Sequence, residues 1–378
     1  MSANDLLILI HRIAAQTFAT GRVVTLPNLG LVCALVTCTA ANTPKSTTVA
    51  GKPSLFAEVG TVCMVATTRQ IYCASGSATF RFARNDFVAV GDSGSPICGL
   101  TSQGDVLCTD ETPKSSRTQP NETLAVIEDI NLLKVDGLPL VDDLQCDGSA
   151  CCALAKGDAS VWCFTRWCPD ASDCTVVRVP DVPPAVQVGF KGSRACLLDK
   201  AGQIWCWYVG FGGVPKPASP IFNVHQMTLF GLTDLVLPLD NLTTCMVKNS
   251  ILTCKSIDNY PNPSTHDPAP IELPKGWKHI AIGANAGVVC VLLDSGVVTC
   301  RGENDYQQLG QLGKDKSFVS NDFMTVTDVD AVALTANVIG FCALLRDGTV
   351  RCWGQIPVPL QGAFGKKSPD GRFTDWKP

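Results

Sequence analysis

Residues Cys342 to Gly354 read CALLRDGTVRCWG, and the spacing of the two cysteines decides what this segment is. A three-residue loop, Arg346-Asp347-Gly348, would pair Leu345 with Thr349 and set Cys342 directly opposite Cys352 in an antiparallel hairpin. Gly348 then occupies the loop position that requires positive φ, which only glycine adopts without steric cost. The spacing therefore predicts a β-hairpin clipped across its strands by a disulfide.

The same unit recurs along the chain. CMVATTRQIYC (Cys63, Cys73), CGLTSQGDVLC (Cys98, Cys108), CALAKGDASVWC (Cys152, Cys163), CLLDKAGQIWC (Cys196, Cys206), CMVKNSILTC (Cys245, Cys254) and CVLLDSGVVTC (Cys290, Cys300) precede it, making seven hairpins. Gly104, Gly202 and Gly296 fall at the loop position of Gly348, Arg69 replaces it in the first unit, and Asn249-Ser250 forms a shorter two-residue turn. Closing a loop of about eleven residues in the unfolded chain contributes on the order of 2–3 kcal/mol per bridge. A repeat of this length indicates a solenoid or a propeller.

The repeat extends upstream of each hairpin. Alternating apolar segments ending in glycine, FVAVG at Gly91, AVQVG at Gly189 and HIAIG at Gly283, stand seven residues before a first cysteine. This explains GDSG at 91–94, a string that otherwise suggests the nucleophile of a chymotrypsin-like protease. Gly91 belongs to the repeat, which makes Ser93 the counterpart of Lys191 and Asn285 in a turn between strands. The protease order also demands an upstream histidine and aspartate, and His11 within LILIHRIAA is the only upstream histidine. Ser93 is thus read as a turn residue and the chain as a non-enzyme.

Composition narrows the class further. The chain has 378 residues, 46% hydrophobic and 17% charged, enough to bury a large core. Its formal net charge of −4 supplies no cation excess for a nucleic acid. No apolar run reaches the roughly 20 residues of a membrane span. Twenty cysteines without any C-x-x-C pair, beside four histidines, suit disulfides in an oxidising compartment better than zinc sites. The N-terminus, MSANDLLILIHRIAAQTFATG, has an apolar run but carries Asp5 where a signal peptide would be basic. With neither a phosphate loop nor a metal-ligand cluster in the sequence, no cofactor is expected.

At CALLRDGTVRCWG and at CRGENDYQQLG (300–310) the chain resembles the propellers of the regulator of chromosome condensation type. That family combines a strand ending in glycine, a C-A-L-x-x-D-G-x-V-x-C-W-G hairpin and an N-x-x-G-Q-L-G tail, and Arg301 stands here where the pattern has tryptophan. The resemblance covers roughly residues 50 to 360. Its cysteine-paired form is similar to secreted bacterial repeat proteins and to the ectodomains of plant crinkly-type receptor kinases. It implies an all-β, seven-bladed β-propeller with disulfide-clipped hairpins, in which radially packed blades share a core that no lone hairpin could build.

On this reading residues 1–21 are an N-terminal segment, 22–363 the propeller and 364–378 a tail, and Arg22 to Cys38 is expected to close the ring against the last hairpin. Outside the repeat, Cys146 with Cys151 and Cys168 with Cys174 could close small loops, while Cys33 and Cys38 have no assigned pairing. Asn121 and Asn241 begin glycosylation sequons. Trp167, Trp207, Tyr208, Phe211 and Tyr306 are candidates for a partner-contact surface, against the alternative that they pack between blades. A rigid ring with variable loops suits an extracellular module that recognises a protein or glycan. Guanine nucleotide exchange on a small GTPase, the activity for which the family is named, is the alternative, and a hydrolase built on Ser93 a distant third.

Overall fold

Every described element is a β-strand. The computed structural model describes residues 54–58, 61–75, 78–91, 97–109, 125–127, 132–147, 150–165, 176–191, 194–208, 225–227, 234–236, 243–256, 269–283, 287–311, 318–337, 340–354 and 373–376. Among them no helix is long and apolar enough to cross a membrane.

The strands form seven antiparallel blades. Blade I holds β1 (Ser54–Glu58), β2 (Thr61–Val65), β3 (Ile71–Ser75) and β4 (Ala78–Phe82), and blade II holds β5 (Phe87–Gly91), β6 (Cys98–Thr101), β7 (Val106–Thr109) and β9 (Leu132–Lys134). Between β7 and β9 the chain crosses to blade I and adds β8 (Ala125–Ile127) parallel to β4 as a fifth strand. Blade III is β10 (Val141–Asp147), β11 (Ala150–Ala155), β12 (Val161–Thr165) and β13 (Val176–Arg178). Blade IV is β14 (Ala185–Lys191), β15 (Arg194–Asp199), β16 (Ile204–Tyr208) and β17 (His225–Met227). Blade V is β18 (Asp234–Val236), β19 (Thr243–Lys248), β20 (Ile251–Ser256) and β21 (Ile271–Glu272).

Blades VI and VII share one long strand. β22 (Trp277–Ile282), β23 (Val288–Leu293) and β24 (Val297–Glu303) are completed by the first part of β25 (Val319–Asn337), whose residues from Val319 to Asp330 pair with β24. From Ala331 onward β25 becomes the inner strand of blade VII, followed by β26 (Gly340–Leu345), β27 (Val350–Gly354) and β28 (Phe373–Trp376).

The core consists of seven wedges, one between each pair of neighbouring blades. Val65, Ile71 and Phe80 of blade I pack with Phe87 and Val90 of blade II. Corresponding clusters join II to III, III to IV, IV to V, V to VI and VI to VII. The ring closes where Ala57, Val62, Met64 and Ala74 of blade I meet Leu344, Val350 and Trp376 of blade VII. Inner strands neighbour one another around the whole circuit, from β1 through β5, β10, β14, β18 and β22 to β25 and back to β1. Each blade thereby buries both faces, which is what a single amphipathic sheet cannot do alone.

Each hairpin is clipped. Cys63–Cys73, Cys98–Cys108, Cys152–Cys163, Cys196–Cys206, Cys245–Cys254, Cys290–Cys300 and Cys342–Cys352 are disulfides between directly opposed residues of the two middle strands. Their Cα–Cα separations, 3.9 Å to 4.1 Å, lie below the usual 4.4–6.8 Å range. Cys146–Cys151 is also bonded, whereas Cys33, Cys38, Cys168 and Cys174 lie outside the described residues.

The loop glycines adopt positive φ as their positions require, Gly104 at 98°, Gly202 at 74°, Gly296 at 93° and Gly348 at 84°, and Arg69 takes the same conformation at 62°. Asn249 and Ser250 are both positive, at 51° and 61°, as a two-residue hairpin turn needs. Position-specific backbone curvature has a second purpose. The carbonyl of the turn residue accepts a hydrogen bond from the first inner-strand amide of the next blade: Phe87 N to Arg69 O (3.0 Å), Val141 N to Gly104 O (2.9 Å), Ala185 N to Ala159 O (2.9 Å) and Ala331 N to Gly296 O (2.8 Å). A β-bulge follows immediately in β5, β10, β14 and β25, and again in β22. The turn and bulge together latch blade to blade.

Gly91 and Gly189 stand opposite Cys98 and Cys196, but Ala281 stands opposite Cys290, and Gly283 lies two residues further along in a longer turn. Residues 364–378 are more than a tail, since β28 pairs with β27 as the outer strand of blade VII. That strand takes the edge of the Cys342 hairpin that Arg22 to Cys38 was expected to cover. Arg22 to Cys38 itself lies outside the described residues.

Candidate functional site

Strand order separates the ring into two unlike ends. In blades II, III, IV and VII the inner strand runs away from the latch that enters it, so the clipped-hairpin turns and these blade-to-blade links share one end, the turn face. The turns after the inner strands and the long connections to the outer strands leave from the other end, the loop face. Gly91 of β5 against Cys146 of β10, both near the ends of inner strands, confirms a common direction in blades II and III.

Several charges on the turn face are paired within the protein. Arg346 donates to both carboxylate oxygens of Asp330, at 3.0 Å and 3.1 Å, holding that carboxyl below the usual range. Asp158 is likewise lowered, first by the backbone and side-chain hydrogen bonds from Ser160. Arg351 forks onto Asp375 of the outer strand at 2.7 Å twice. These groups brace turns and strands.

The described part of the loop face is clearest on blade VI. After β24, residues Asn304 to Gly310 form a knot fastened by Leu309 N donating to Asn304 Oδ1 (2.9 Å), Gln307 N to Asn304 O (3.0 Å) and Tyr306 N to Gln308 Oε1 (2.8 Å). Gln307 has φ of 64° where the N-x-x-G-Q-L-G pattern would place glycine. The neighbouring blade fixes the knot from below, because buried Trp353 Nε1 donates to Gln308 O at 2.8 Å. Tyr306 is held on this base with 51% of its surface exposed, and Val319, opposite Glu303 at the start of β25, is 66% exposed. Arg301, standing where the resembling pattern has tryptophan, lies over the Phe323 ring at 5.8 Å.

The other sequence candidates divide. Trp207 is 1% exposed and packs with Val188, Phe190 and Leu197, so it fills the wedge between blades III and IV and cannot contact a partner. Tyr208 ends β16 at the loop face, its side chain outside the described residues. Trp167, Phe211, Asn121 and Asn241 are also outside them, as is Ser93. Sequence reasoning gave no sign of Val319 or of Phe323, which are separated by the polar run Ser320-Asn321-Asp322 and so lack the alternation of a strand.

One cluster has the look of a metal site. The sulfurs of Cys98, Cys146 and Cys151 all lie within 4.8 Å of one another. Each is engaged in a disulfide, and a disulfide sulfur is not the thiolate that binds metal.

No model of a known protein family matches the sequence, and no curated protein matches it. Solved structures do match. Yeast RCC1 (Prp20) bound to Kap60 is similar at a TM-score of 0.55 and 13% identity over 77% of this chain and 75% of that chain. Prp20p from Saccharomyces cerevisiae, in a study of its binding to Gsp1p and histones, matches at 0.54 and 13% over 77% of each chain. Human WBSCR16 matches at 0.50 and 12% over 75% of this chain and 84% of that one. With seven blades built on one clipped hairpin each, the chain has the fold of an RCC1-like propeller.

Proposed function

We propose that this propeller is a non-enzymatic extracellular module that binds a protein partner through its loop face. The observation that carries the reading is the asymmetry of the ring: long connections leave from one end of a scaffold whose every blade is pinned by a disulfide. Such bridges persist in oxidising compartments and are lost in the cytosol. A rigid frame also lowers the ordering cost of binding at its loops. Tyr306, exposed on a hydrogen-bonded base, has the residue type and preorganisation of an interface anchor. The partners named for the similar yeast protein, Kap60, Gsp1p and histones, are proteins, which supports the partner class and not its identity.

The test is to present the secreted ring to arrays of ectodomains and of glycans. A protein ligand should appear, and Tyr306→Ala should weaken it about tenfold or more, as loss of an anchor does. Asp330→Asn on the turn face should leave binding unchanged. Binding to glycans alone would replace the partner class, and accelerated nucleotide release from a small GTPase with no ectodomain bound would overturn the proposal.

A further inference from the structure

The cysteine cluster between blades II and III places two disulfides within reach of one another. Cys98–Cys108 clips the hairpin of blade II, and Cys146–Cys151 joins β10 to β11 in blade III. The Cys98 sulfur lies within 4.8 Å of both Cys146 and Cys151 sulfurs. Gly91 makes this approach possible. It stands opposite Cys98 in the ladder, and a Cβ there would lie 2.9 Å from both Cβ and Sγ of Cys146. Any side chain at 91 would push the second disulfide away from the first.

The neighbouring Cys152–Cys163 bridge does not join the group. Cys151 and Cys152 are consecutive in β11 and point to opposite faces of the blade. Cys151 packs in the wedge between blades II and III, Cys152 in that between III and IV.

We infer that Cys98–Cys108 and Cys146–Cys151 form a thiol–disulfide exchange pair, able to isomerise from two clips within blades into two cross-links between blades II and III. The step needs a small external thiol as initiator. Its thiolate attacks Cys108, the most exposed of the four at 9%, forming a mixed disulfide there and expelling the Cys98 thiolate. Cys98 attacks the adjacent Cys146 sulfur, forming Cys98–Cys146 and expelling the Cys151 thiolate. Cys151 then attacks the mixed disulfide at the Cys108 sulfur, forming Cys108–Cys151 and returning the initiating thiolate. Two disulfides are broken and two formed, with no net oxidation. Because exchange needs access for the initiating thiol and a second disulfide within reach of the released thiolate, this exchange should outrun that of the remaining hairpin pairs, whose cysteines are 3% exposed or less.

The consequence falls on the loop face. Cys98 opens β6 and Cys108 lies one residue from the end of β7, both at the loop-face ends of their strands, so the exchange would re-anchor those two ends from each other to blade III. The ring would thereby carry a thiol-sensitive control of its loop face, independent of which partner it binds.

The experiment uses the full chain in two arms. In the first, wild-type protein is held with reduced glutathione under native conditions, acid-quenched, alkylated and mapped without reduction. Peptides joining Cys98 to Cys146 or to Cys151 should appear while Cys63–Cys73, Cys196–Cys206 and Cys342–Cys352 remain intact. In the second, Cys108→Ser leaves Cys98 without its partner from the start. Cys98 should capture Cys146 or Cys151, so most alkylation should move from Cys98 to the displaced cysteine. Alkylation confined to Cys98, or a wild-type map in which all pairs scramble at one rate, would overturn the inference. If Cys108→Ser does not fold, the wild-type arm decides alone.

Discussion

Trp353 ties two blades together, and its replacement by phenylalanine gives a worked magnitude. The indole is fully buried, stacks on Phe341 with centroids 6.1 Å apart, and donates from Nε1 to the Gln308 carbonyl at 2.8 Å. Phenylalanine keeps an aromatic ring but leaves that carbonyl without its indole donor in a buried site, which costs about 1–3 kcal/mol. The smaller ring gives up about 40 Å² of buried apolar surface, about 1 kcal/mol more. Trp353→Phe should therefore destabilise by about 2–4 kcal/mol in all. The assay is denaturant unfolding followed by far-ultraviolet circular dichroism, with the disulfides intact. Trp205→Phe is the control, because Trp205 is half-buried and donates within its own blade, to Asp199 Oδ2 at 3.1 Å. If Trp353→Phe cost no more than the control, the knot from Asn304 to Gly310 would not be fastened by the next blade, and the account of Tyr306 as a preorganised anchor would fail with it.

Three further outcomes follow from the ring. Arg69 is exposed and held at a φ of 62°, so Arg69→Gly should raise stability by up to about 1 kcal/mol, less the extra unfolded-state freedom of glycine; a lower melting temperature would contradict this. Burial lowers the pKa of His279 below its ordinary 6.5, against a hydrogen bond to the Leu334 backbone that raises it and beside Lys278 which lowers it further. The unfolded chain then binds the proton more readily, so stability should fall as pH drops from about 7 through the folded pKa, and His279→Gln should remove that part of the loss in melting curves taken at about pH 7.5 and about pH 5. Deleting the residues after Gly365 removes β28, the buried Trp376 and the Arg351–Asp375 fork, which should cost about 3–5 kcal/mol by calorimetry; an unchanged melting temperature would show that blade VII does not need its fourth strand.

Much of the ring is legible in the cysteines. Opposed pairs at a spacing of ten fix a hairpin, its register and the residue that must take positive φ, and Cys342 with Cys352 and Gly348 shows all three. What escaped the sequence is held by backbone groups or by position. The latches from Arg69, Gly104, Ala159 and Gly296 use carbonyls, which every residue has. FTDW at 373–376 alternates too briefly to read as a strand until blade VII supplies an edge for it. AVI at 125–127 is paired with β4 by a connection that leaves its own blade, a distance no local pattern encodes. Among the contact candidates, Trp207 and Tyr306 are both aromatic residues near a hairpin's end, and only packing separates the buried one from the exposed one.

The most direct test of a disulfide-clipped extracellular ring is a thiol count and disulfide map of the protein isolated from its natural setting, alkylated before lysis. A disulfide-clipped ring should show the six hairpin pairs other than Cys98–Cys108 oxidised, and Cys98, Cys108, Cys146 and Cys151 fully oxidised in one of their two arrangements. Hairpin cysteines recovered as free thiols would contradict it, and would return the chain to a reducing compartment.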